Sequence, residues 1–293
     1  MTVSAWIKRH THSLIGKTVA ITGATGGLGK ALTEHLATLG ADLILLDRNQ
    51  EKSKALENDL KSAHPNVTVT RISVDMEDFS AVKRATATLL TAPPDYLILN
   101  AGAYAIPRHK TDLGYDNVFQ INAIAPYYMA RKLQNAIADR GGKIVAVGSI
   151  AHNYSKTDPD DLDFSKRSKA SHVYGNAKRY LTYGLFALDH NSTITVAHPG
   201  ITFTNITAHY PKVIFALIKH PMKLIFHSTQ KASLSILAGL FTPSSGNEWI
   251  GPRLSDIWGI PKKRPLKTAA PEEAAAIAKA MDEIYRNLDL AAP

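Results

Sequence analysis

Short apolar runs alternate with longer segments of helical periodicity as far as Gly200. The apolar runs predict six strands: Thr18–Thr22, Ala41–Asp47, Val67–Val74, Tyr96–Asn100, Lys143–Val147 and Thr193–His198. Several are almost wholly apolar, which is typical of strands buried on both faces of a parallel sheet. The intervening segments predict five helices: Gly29–Leu39, Glu51–Ala63, Phe79–Leu90, Tyr115–Asp139 and Tyr174–Asp189. This alternation predicts an α/β fold, a doubly wound parallel sheet with helices on both faces.

The pattern changes after Gly200. There we expect helices alone, over roughly His209–Ile218, Ser228–Phe241 and Pro271–Leu290. No internal repeat or flexible linker divides the 293 residues, so a single domain is expected. The polar and charged segment Ser155–Ser171 is interpreted as an inserted surface loop.

Composition narrows the function classes. There are no cysteines, which excludes disulfides and thiolate chemistry, and the 12 histidines are too dispersed to predict a metal site. No apolar run approaches the ~20 residues that span a bilayer, and the first residues lack the apolar stretch of a signal peptide. A cytoplasmic protein is therefore expected. The net charge of +9 favours anionic ligands, but the basic residues are scattered, which argues against nucleic acid.

A glycine-rich turn joins the first strand to the first helix. It contains Gly23, Thr25, Gly27, Leu28 and Gly29. Glycines in such a turn let the backbone approach a pyrophosphate, and the N-terminus of the following helix supplies N–H donors. Glycines also make ordinary tight turns, but the position after the first strand of an alternating pattern favours a dinucleotide site.

Two residues at the end of the second strand bear on the choice of dinucleotide. Asp47 can accept hydrogen bonds from the adenosine ribose hydroxyls and would repel a 2′-phosphate. Arg48 can instead pair with that phosphate. Because the two indications oppose each other, NAD is favoured over NADP only slightly.

The next two strands also end in candidate cofactor residues. Asp75 and Met76 follow the third strand, where Asp75 can reach the adenine amino group. Asn100, Ala101 and Gly102 follow the fourth strand. The carboxyl ends of the strands line the ligand crevice of an open α/β sheet. Asn100 has an alternative role as the cap of the turn that follows it.

Tyr174 and Lys178 are four residues apart, which places them on one face of a helix. A tyrosine with an ordinary pKa of about 10 is a poor proton donor or acceptor at neutral pH. A neighbouring ammonium favours the phenolate and lowers the tyrosine pKa toward the useful range. The spacing alone is common by chance, and the alternative is a pair on a helix surface.

In combination, these motifs resemble the short-chain dehydrogenase/reductase family. The chain carries, in the family's order, Thr22-Gly23-x-x-x-Gly27-x-Gly29, Asn100-Ala101-Gly102, Asn122, Ser149, Tyr174-x-x-x-Lys178 and Pro199-Gly200. The resemblance implies a Rossmann-type domain, with the cofactor-binding and catalytic core over residues 15–205. Residues 206–293 would then form a substrate lid and the C-terminal helices.

The resemblance implies a role for each catalytic residue. Ser149 would hydrogen-bond the substrate oxygen, and Tyr174 would exchange a proton with it. Lys178 would hold the nicotinamide ribose and lower the tyrosine pKa. Asn122 would anchor a water in a relay to Lys178. The segment Pro199, Gly200, Ile201 and Thr204 would fix the nicotinamide carboxamide, with Thr204 as its side-chain contact.

The spacing of Ser149 and Tyr174 and several flanking segments resemble the retinol-dehydrogenase-like branch of the family. The two residues are 25 positions apart, about twice the spacing of many members, and the loop between them includes Asp160–Arg167. Two departures stand out. Leu99 precedes Asn100 where the family usually has a second asparagine, and Asp47 precedes Arg48 where an uncharged residue is frequent. The second departure leaves the cofactor preference open.

The apolar and basic segment 209–227 favours a lid over a hydrophobic alcohol or carbonyl substrate. Plain core packing and contact with an anionic membrane are the alternatives. The resemblance also implies a homo-oligomer, because dimers and tetramers are common in the family. Two other functions compete with this one. The protein could be a redox sensor that binds the dinucleotide without catalysis, or a peripheral membrane protein. The complete set Asn122, Ser149, Tyr174 and Lys178 argues for an enzyme.

Overall fold

The computed structural model describes residues 1–154, 156–189, 192–200, 228–243 and 246–290. The expected helix His209–Ile218 and the whole segment 209–227 lie outside these residues, as do Ile201 and Thr204. Within the described part of the chain, no helix is both long enough and apolar enough to cross a bilayer.

Eight strands of the described chain form one sheet in the order β3-β2-β1-β4-β5-β6-β7-β8. Neighbouring strands are parallel, except for the antiparallel pair β7 and β8. The strands are β1 (Thr18–Thr22), β2 (Asp42–Asp47), β3 (Val69–Ser73), β4 (Tyr96–Leu99), β5 (Lys143–Val147), β6 (Ile194–Ala197), β7 (Glu248–Leu254) and β8 (Trp258–Pro265). The prediction of a doubly wound, mainly parallel sheet is confirmed.

Helices cover both faces of this sheet. They are α1 (Val3–His10), α2 (Gly27–Thr38), α3 (Gln50–Ala63), α4 (Phe79–Thr91), α5 (Asn117–Phe119), α6 (Ala125–Ala138), α7 (Ala170–Leu188), α8 (Thr229–Phe241) and α9 (Pro271–Leu290). A π-helical segment, Gln120–Ile124, joins α5 to α6, and a 3-10 turn, Ile150–Asn153, follows β5.

Alternate residues of the strands lie in two separate hydrophobic cores, one on each face of the sheet. Val19 and Ile21 of β1 lie in the core beneath α1, α2, α3 and α8. Ala20, between them, faces the opposite core, which α4, α6, α7 and α9 cover. Successive side chains of a strand point to opposite faces, so a central strand covered on both sides is apolar at every position. This burial explains why the sequence pattern reveals the central strands.

The hairpin of β7 and β8 was not predicted, since helices alone were expected after Gly200. Pro252 and Pro261 pair with each other across it and interrupt any regular apolar pattern. Its tip also lacks an ordinary turn signal. Ser255 and Asp256 have φ values of 50° and 57°, a left-handed conformation that favours glycine or asparagine. The short helix α1, which buries Trp6, was missed as well.

The interpretation of Ser155–Ser171 as a surface loop is wrong for its middle. Phe164 is fully buried and stacks on Phe119 of α5, with ring centroids 4.4 Å apart. Asp161 is also buried and pairs with Arg167. Arg108 donates hydrogen bonds to the carbonyl oxygens of Phe164 and Arg167. An aromatic anchor and a buried ion pair therefore fix the inserted segment to the core.

We expect Phe164→Ala to lower the free energy of unfolding by about 3–5 kcal/mol, because it leaves a cavity against Phe119. Lys166→Ala is the matched control. Lys166 lies in the same segment and pairs with Asp158 at the exposed surface, where such a pair contributes about 1 kcal/mol or less. Urea denaturation of the two variants measures the difference. Equal stabilities would show that the segment is not anchored through Phe164.

Candidate active site

The glycine-rich turn follows β1 and leads directly into α2. Gly23 has φ +66°, and a Cβ there would lie 3.0 Å from the Cα of Ala101. A Cβ on Gly29 would overlap the carbonyl oxygen of Gly23, so α2 starts in direct contact with the turn. No side chain caps the N-terminus of α2, whereas Asn49 caps α3. Gly26, the N-cap residue, has no side chain to accept from the first N–H groups of α2, which leaves them available to a pyrophosphate.

Asn100 and Thr22 hold the ends of β4 and β1 together. The amide nitrogen Nδ2 of Asn100 donates to the carbonyl oxygens of Thr22 and Gly23, both at 3.0 Å. The hydroxyl of Thr22 accepts from the backbone N–H groups of Asn100 and Ala101, also at 3.0 Å. Asn100 therefore braces the glycine turn that follows β1, whereas its alternative role was to cap the turn after β4. Its contact with a cofactor stays a prediction.

Asp47 does not present a free carboxylate to a ribose. It is buried, and its Oδ1 accepts from the backbone N–H and the hydroxyl of Thr25, both at 3.0 Å. Its Oδ2 accepts from the hydroxyl of Ser53 at 3.1 Å. The expectation that Asp47 reads the ribose hydroxyls rested on an exposed carboxylate at the end of β2. Instead, Asp47 ties the glycine turn to α3.

Arg48 and Asp75 lie at the rim of the same crevice. The side chain of Arg48 is 72% exposed, and its guanidinium lies 3.6 Å from a carboxylate oxygen of Asp75. The other oxygen of Asp75 accepts from the backbone N–H of Glu77 at 3.0 Å. Met76 is buried in the core, so only its backbone borders the crevice. Arg48 is thus an exposed cation at the rim of the crevice, where its side chain can turn toward an anion.

Ser149 begins the 3-10 turn that follows β5. Its hydroxyl oxygen accepts from the backbone N–H of Ala151 at 3.2 Å, and its interaction with the phenol of Tyr174 favours the phenolate. A Cβ on Gly175 would overlap the carbonyl oxygen of Ala151. This glycine lets the backbone of α7 approach the turn closely, which places Tyr174 beside Ser149.

Tyr174 and Lys178 lie inside α7, because this helix begins at Ala170, one turn before its predicted start. Lys178 is buried, and its ammonium Nζ donates to the carbonyl oxygen of Val147 at 2.9 Å. The same Nζ lies 5.8 Å from the centre of the Tyr174 ring. The structure therefore brings together Ser149, Tyr174 and Lys178, three of the four residues predicted to be catalytic.

Burial dominates the electrostatics of this pair. It raises the pKa of Tyr174 to about 12, against an opposing hydrogen bond from Ser149, and it lowers the pKa of Lys178 to about 8. Removal from water disfavours the charged form of each group. The expected lowering of the tyrosine pKa by Lys178 is therefore not what the structure shows. At neutral pH Tyr174 holds its proton, and Lys178 stays mostly charged.

Asn122 lies in the π-helical segment and is completely buried. Its Oδ1 accepts from the backbone N–H of Ala103 at 3.3 Å, and its Nδ2 donates to the carbonyl oxygen of Ala103 at 2.8 Å. A Cβ on Gly102 would lie 2.8 Å from this Oδ1 and 3.7 Å from Nζ of Lys178. Asn122 thus holds the turn after β4 next to Lys178, and its predicted water relay stays a prediction.

The segment after β6 leads toward the same edge of the sheet. Gly200 has φ +84°, and Pro199 precedes it at the end of the described range. His198 is buried between the strands, stacks on Trp249 at 5.4 Å and shares a hydrogen bond with the carbonyl oxygen of Asp256 through Nε2. This agrees with its interpretation as a core histidine.

Two residues near the reacting groups had no signal in the sequence. The ring of Tyr104 meets that of Tyr174 edge to face, with centroids 5.3 Å apart. His152 is completely buried. Neither position belongs to a periodic pattern, and one partner of His152, Thr268, is 116 residues away, so only the folded chain reveals these contacts.

Comparison with known proteins agrees with this geometry. A family model described as short chain dehydrogenase matches residues 17–158. A protein of Streptomyces sp. strain C5, named as a candidate daunorubicin C-13 ketoreductase, is 32% identical over 200 residues, in an alignment spanning 66% of this chain and 68% of the relative. The chain belongs to the short-chain dehydrogenase/reductase family. It is therefore related to a family of NAD(P)-binding oxidoreductases.

Further relatives place the chain near the retinol-dehydrogenase-like branch and share its fold. Retinol dehydrogenase 14 of Mus musculus is 30% identical over 214 residues, which cover 66% of this chain and 64% of that protein. A short-chain dehydrogenase from Sphingobium yanoikuyae, solved in complex with NADPH, is 25% identical, with a TM-score of 0.54 over 66% of this chain and 74% of its own. An uncharacterized Mycobacterium paratuberculosis protein has a TM-score of 0.73 at 22% identity, covering 94% and 95% of the two chains.

We expect stability to fall as the pH drops below about 6.5. Burial lowers the pKa of His152 and lowers that of His198 to about 3, so both rings stay neutral in the folded state. The unfolded chain protonates them at about 6.5 and therefore binds more protons below that pH, which favours unfolding. The carboxyl groups with lowered pKa values, such as Glu273, lose their contribution only below about 4.5.

Urea denaturation at about pH 7.5 and about pH 5.5 measures this effect. His198→Gln should reduce the difference between the two conditions, and His12→Gln, at an exposed position, should leave it unchanged. A difference that is unaffected by His198→Gln would contradict the assignment to this ring.

Proposed function

We propose that the protein transfers a hydride between a nicotinamide dinucleotide and the reacting carbon of a hydrophobic alcohol or carbonyl compound, with Tyr174 as general acid and base. The close approach of Tyr174 in α7 to the turn that Ser149 begins, next to the buried ammonium of Lys178, is the observation that carries the proposal. When bound, the dinucleotide supplies the hydride for reduction and takes it up in oxidation.

Ser149 and Tyr174 can bind the same substrate oxygen. The hydroxyl oxygen of Ser149 already accepts a hydrogen bond from the N–H of Ala151, which orients its proton away from the turn. Because Gly175 lets α7 approach the turn that Ser149 begins, a carbonyl oxygen placed between the hydroxyls of Ser149 and Tyr174 can receive two donors. Donors aimed at the oxygen where negative charge develops stabilise the transition state.

The proton balance follows from the two pKa values. In reduction, the carbonyl carbon gains the hydride, the O–H bond of Tyr174 breaks and the proton moves to the substrate oxygen. The resulting phenolate lies close to the ammonium of Lys178, which is mostly charged at neutral pH because its pKa is about 8. In oxidation, the phenolate takes the proton back. A tyrosine with a pKa of about 12 holds its proton at neutral pH, so it can serve as the acid in carbonyl reduction.

The glycine turn, Asn100 and the start of α2 would hold the dinucleotide. The N–H groups at the start of α2, which no side chain caps, suit its pyrophosphate. Gly102 borders Lys178 at the nicotinamide end, where a Cβ would lie 3.7 Å from Nζ. The remaining predicted contacts at Pro199, Gly200, Ile201 and Thr204 belong to this proposal, the last two outside the described residues.

We further propose that Arg48 binds the adenosine 2′-phosphate, so that NADP is preferred over NAD. The carboxylate of Asp47 accepts hydrogen bonds from Thr25 and Ser53, so both of its oxygens already have donors within the protein. Arg48 is exposed, and its nearest carboxylate, Asp75, lies 3.6 Å away at the surface. The Sphingobium yanoikuyae relative was solved with NADPH, which supports this choice.

The hydrophobic substrate is supported by the relatives rather than by described contacts. Retinol dehydrogenase 14 and a human polyprenol dehydrogenase, 26% identical over 203 residues, carry the names of apolar alcohols. Tyr104, edge to face with Tyr174, adds an aromatic wall to the reacting end. We propose a hydrophobic alcohol or ketone on this basis.

Tyr174→Phe should lower kcat by about 100-fold or more, since a positioned acid contributes about that factor. Affinity for the nucleotide should not change, because the ring and Lys178 remain in place. Titration of nucleotide fluorescence and turnover of a panel of hydrophobic ketones measure the two quantities. The control is Tyr285→Phe in α9, where the hydroxyl contacts only Asp289 in the described structure, and its turnover should equal that of the unaltered protein. Undiminished turnover by Tyr174→Phe would refute the mechanism.

Arg48→Gln should weaken NADPH binding by about 10-fold, the effect of losing one charge-assisted contact with a phosphate, and leave NADH binding nearly unchanged. Lys52→Gln, which removes an exposed charge from α3, serves as the control. Asp47→Ala should weaken both nucleotides together, because it frees Thr25 and the glycine turn. If Asp47→Ala instead improves NADPH relative to NADH, its carboxylate is the discriminator and Arg48 is not.

A further inference from the structure

A chain of hydrogen bonds links the C-terminal part of the protein to the turn that carries Ser149. His152 is completely buried, and its Nδ1 lies 2.6 Å from the carbonyl oxygen of Ser149. Its Nε2 lies 2.8 Å from the hydroxyl of Thr268, which in turn lies 2.7 Å from the hydroxyl of Tyr183 on α7. Tyr183 also accepts from the backbone N–H groups of Thr268 and Ala269, at 3.0 and 2.8 Å.

Only one arrangement of protons satisfies this chain. A carbonyl oxygen cannot donate, so Nδ1 of His152 must carry the proton that bonds to Ser149. In a neutral ring Nε2 is then an acceptor, and the hydroxyl of Thr268 donates to it. The hydroxyl of Tyr183, which already accepts two N–H groups, donates its proton to Thr268. Every hydrogen bond therefore points from Tyr183 toward Ser149.

An ion pair locks the same segment against α7. Arg179 follows Lys178 and is buried, and its Nε and Nη2 bind the two carboxylate oxygens of Glu273 at 2.8 and 2.6 Å. Its remaining contacts go to the carbonyl oxygens of His152, at 3.1 Å, and Thr268, at 2.7 Å. Arg179 thus binds the backbone carbonyl oxygens of His152 and Thr268, the two residues whose side chains share a hydrogen bond.

We infer that Thr268 and His152 are positioning residues for Ser149, holding its hydroxyl where it meets Tyr174 and the substrate oxygen. The inference rests on the proposed function. Its basis is the short path from His152 to the backbone of Ser149. The backbone N–H of His152, at 3.1 Å, and its Nδ1 both donate to the carbonyl oxygen of Ser149. These two hydrogen bonds fix the turn that Ser149 begins. A displacement of about 1 Å at such a group is enough to lower a rate by up to about 100-fold.

The test compares Thr268→Val with Thr268→Ser. Valine keeps the branched shape and removes the hydroxyl, whereas serine keeps the hydroxyl and removes a methyl group. Rates are divided by the concentration of sites that bind nucleotide, which corrects for any loss of folded protein. We expect Thr268→Val to lower kcat for ketone reduction by about 10-fold with the KM for nucleotide unchanged, and Thr268→Ser to restore kcat.

A wild-type kcat in Thr268→Val would overturn the inference. So would an equal loss in both variants, since packing of the methyl group would then be the cause.

A second measurement does not need turnover. The 15N NMR signals of the His152 ring, assigned by their loss in His152→Gln, report which nitrogen carries the proton. We expect the proton on Nδ1 in the unaltered protein, and in Thr268→Val a shift of the Nε2 signal, because that nitrogen loses its hydrogen-bond donor. A proton on Nε2 in the unaltered protein would overturn the chain. If the unaltered protein reduces no ketone, the proposed function fails, while the NMR result still decides whether the chain exists.

Discussion

Two consecutive cations of α7, Lys178 and Arg179, are buried. The site depends on the different ways in which neighbouring residues compensate their charges. Arg179 directs its donors to Glu273 and two carbonyl oxygens, so its charge is fully paired. Lys178 has one hydrogen bond within the described residues, to the carbonyl oxygen of Val147. A buried charge that lacks a counter-ion is costly, and its pKa shifts in response. The paired cation is structural, and the unpaired one remains available for chemistry.

Burial also keeps Tyr174 protonated at neutral pH, as the proposed role of a proton donor requires. The same desolvation that lowers the pKa of Lys178 raises the pKa of Tyr174. At neutral pH the protonated phenol of Tyr174 therefore coexists with the ammonium of Lys178. A neutral phenol is a donor, and the ammonium next to it stabilises the phenolate that donation leaves. The close approach of α7 to the turn after β5, which requires Gly175, keeps these groups within reach of Ser149.

The parts of this fold that follow from local pattern could be predicted, and the parts set by distant contacts could not. The strands β1, β2, β4, β5 and β6 are nearly continuous apolar runs because both of their faces are covered, whereas the edge strand β3 is mostly exposed. The glycine turn and the Tyr174–Lys178 pair are local in sequence and were recognised with the family. By contrast, His152 and Thr268 are 116 residues apart, and the anchoring of Phe164 on Phe119 depends on the folded insert. The hydrogen bonds of Asp47 to Thr25 and Ser53 were likewise not predicted, and its contact with a cofactor stays a prediction.

The most direct test of Tyr174 and Lys178 as an acid and its stabilising cation is the rate of ketone reduction in a single turnover, measured from neutral to alkaline pH. If the charge of Lys178 stabilises the phenolate, the rate should be constant near neutrality and fall above about pH 8, where burial places the lysine pKa. Lys178→Gln should remove this limb and lower the rate at neutral pH. A rate in the unaltered protein that does not change with pH across this range would contradict the role of the buried pair.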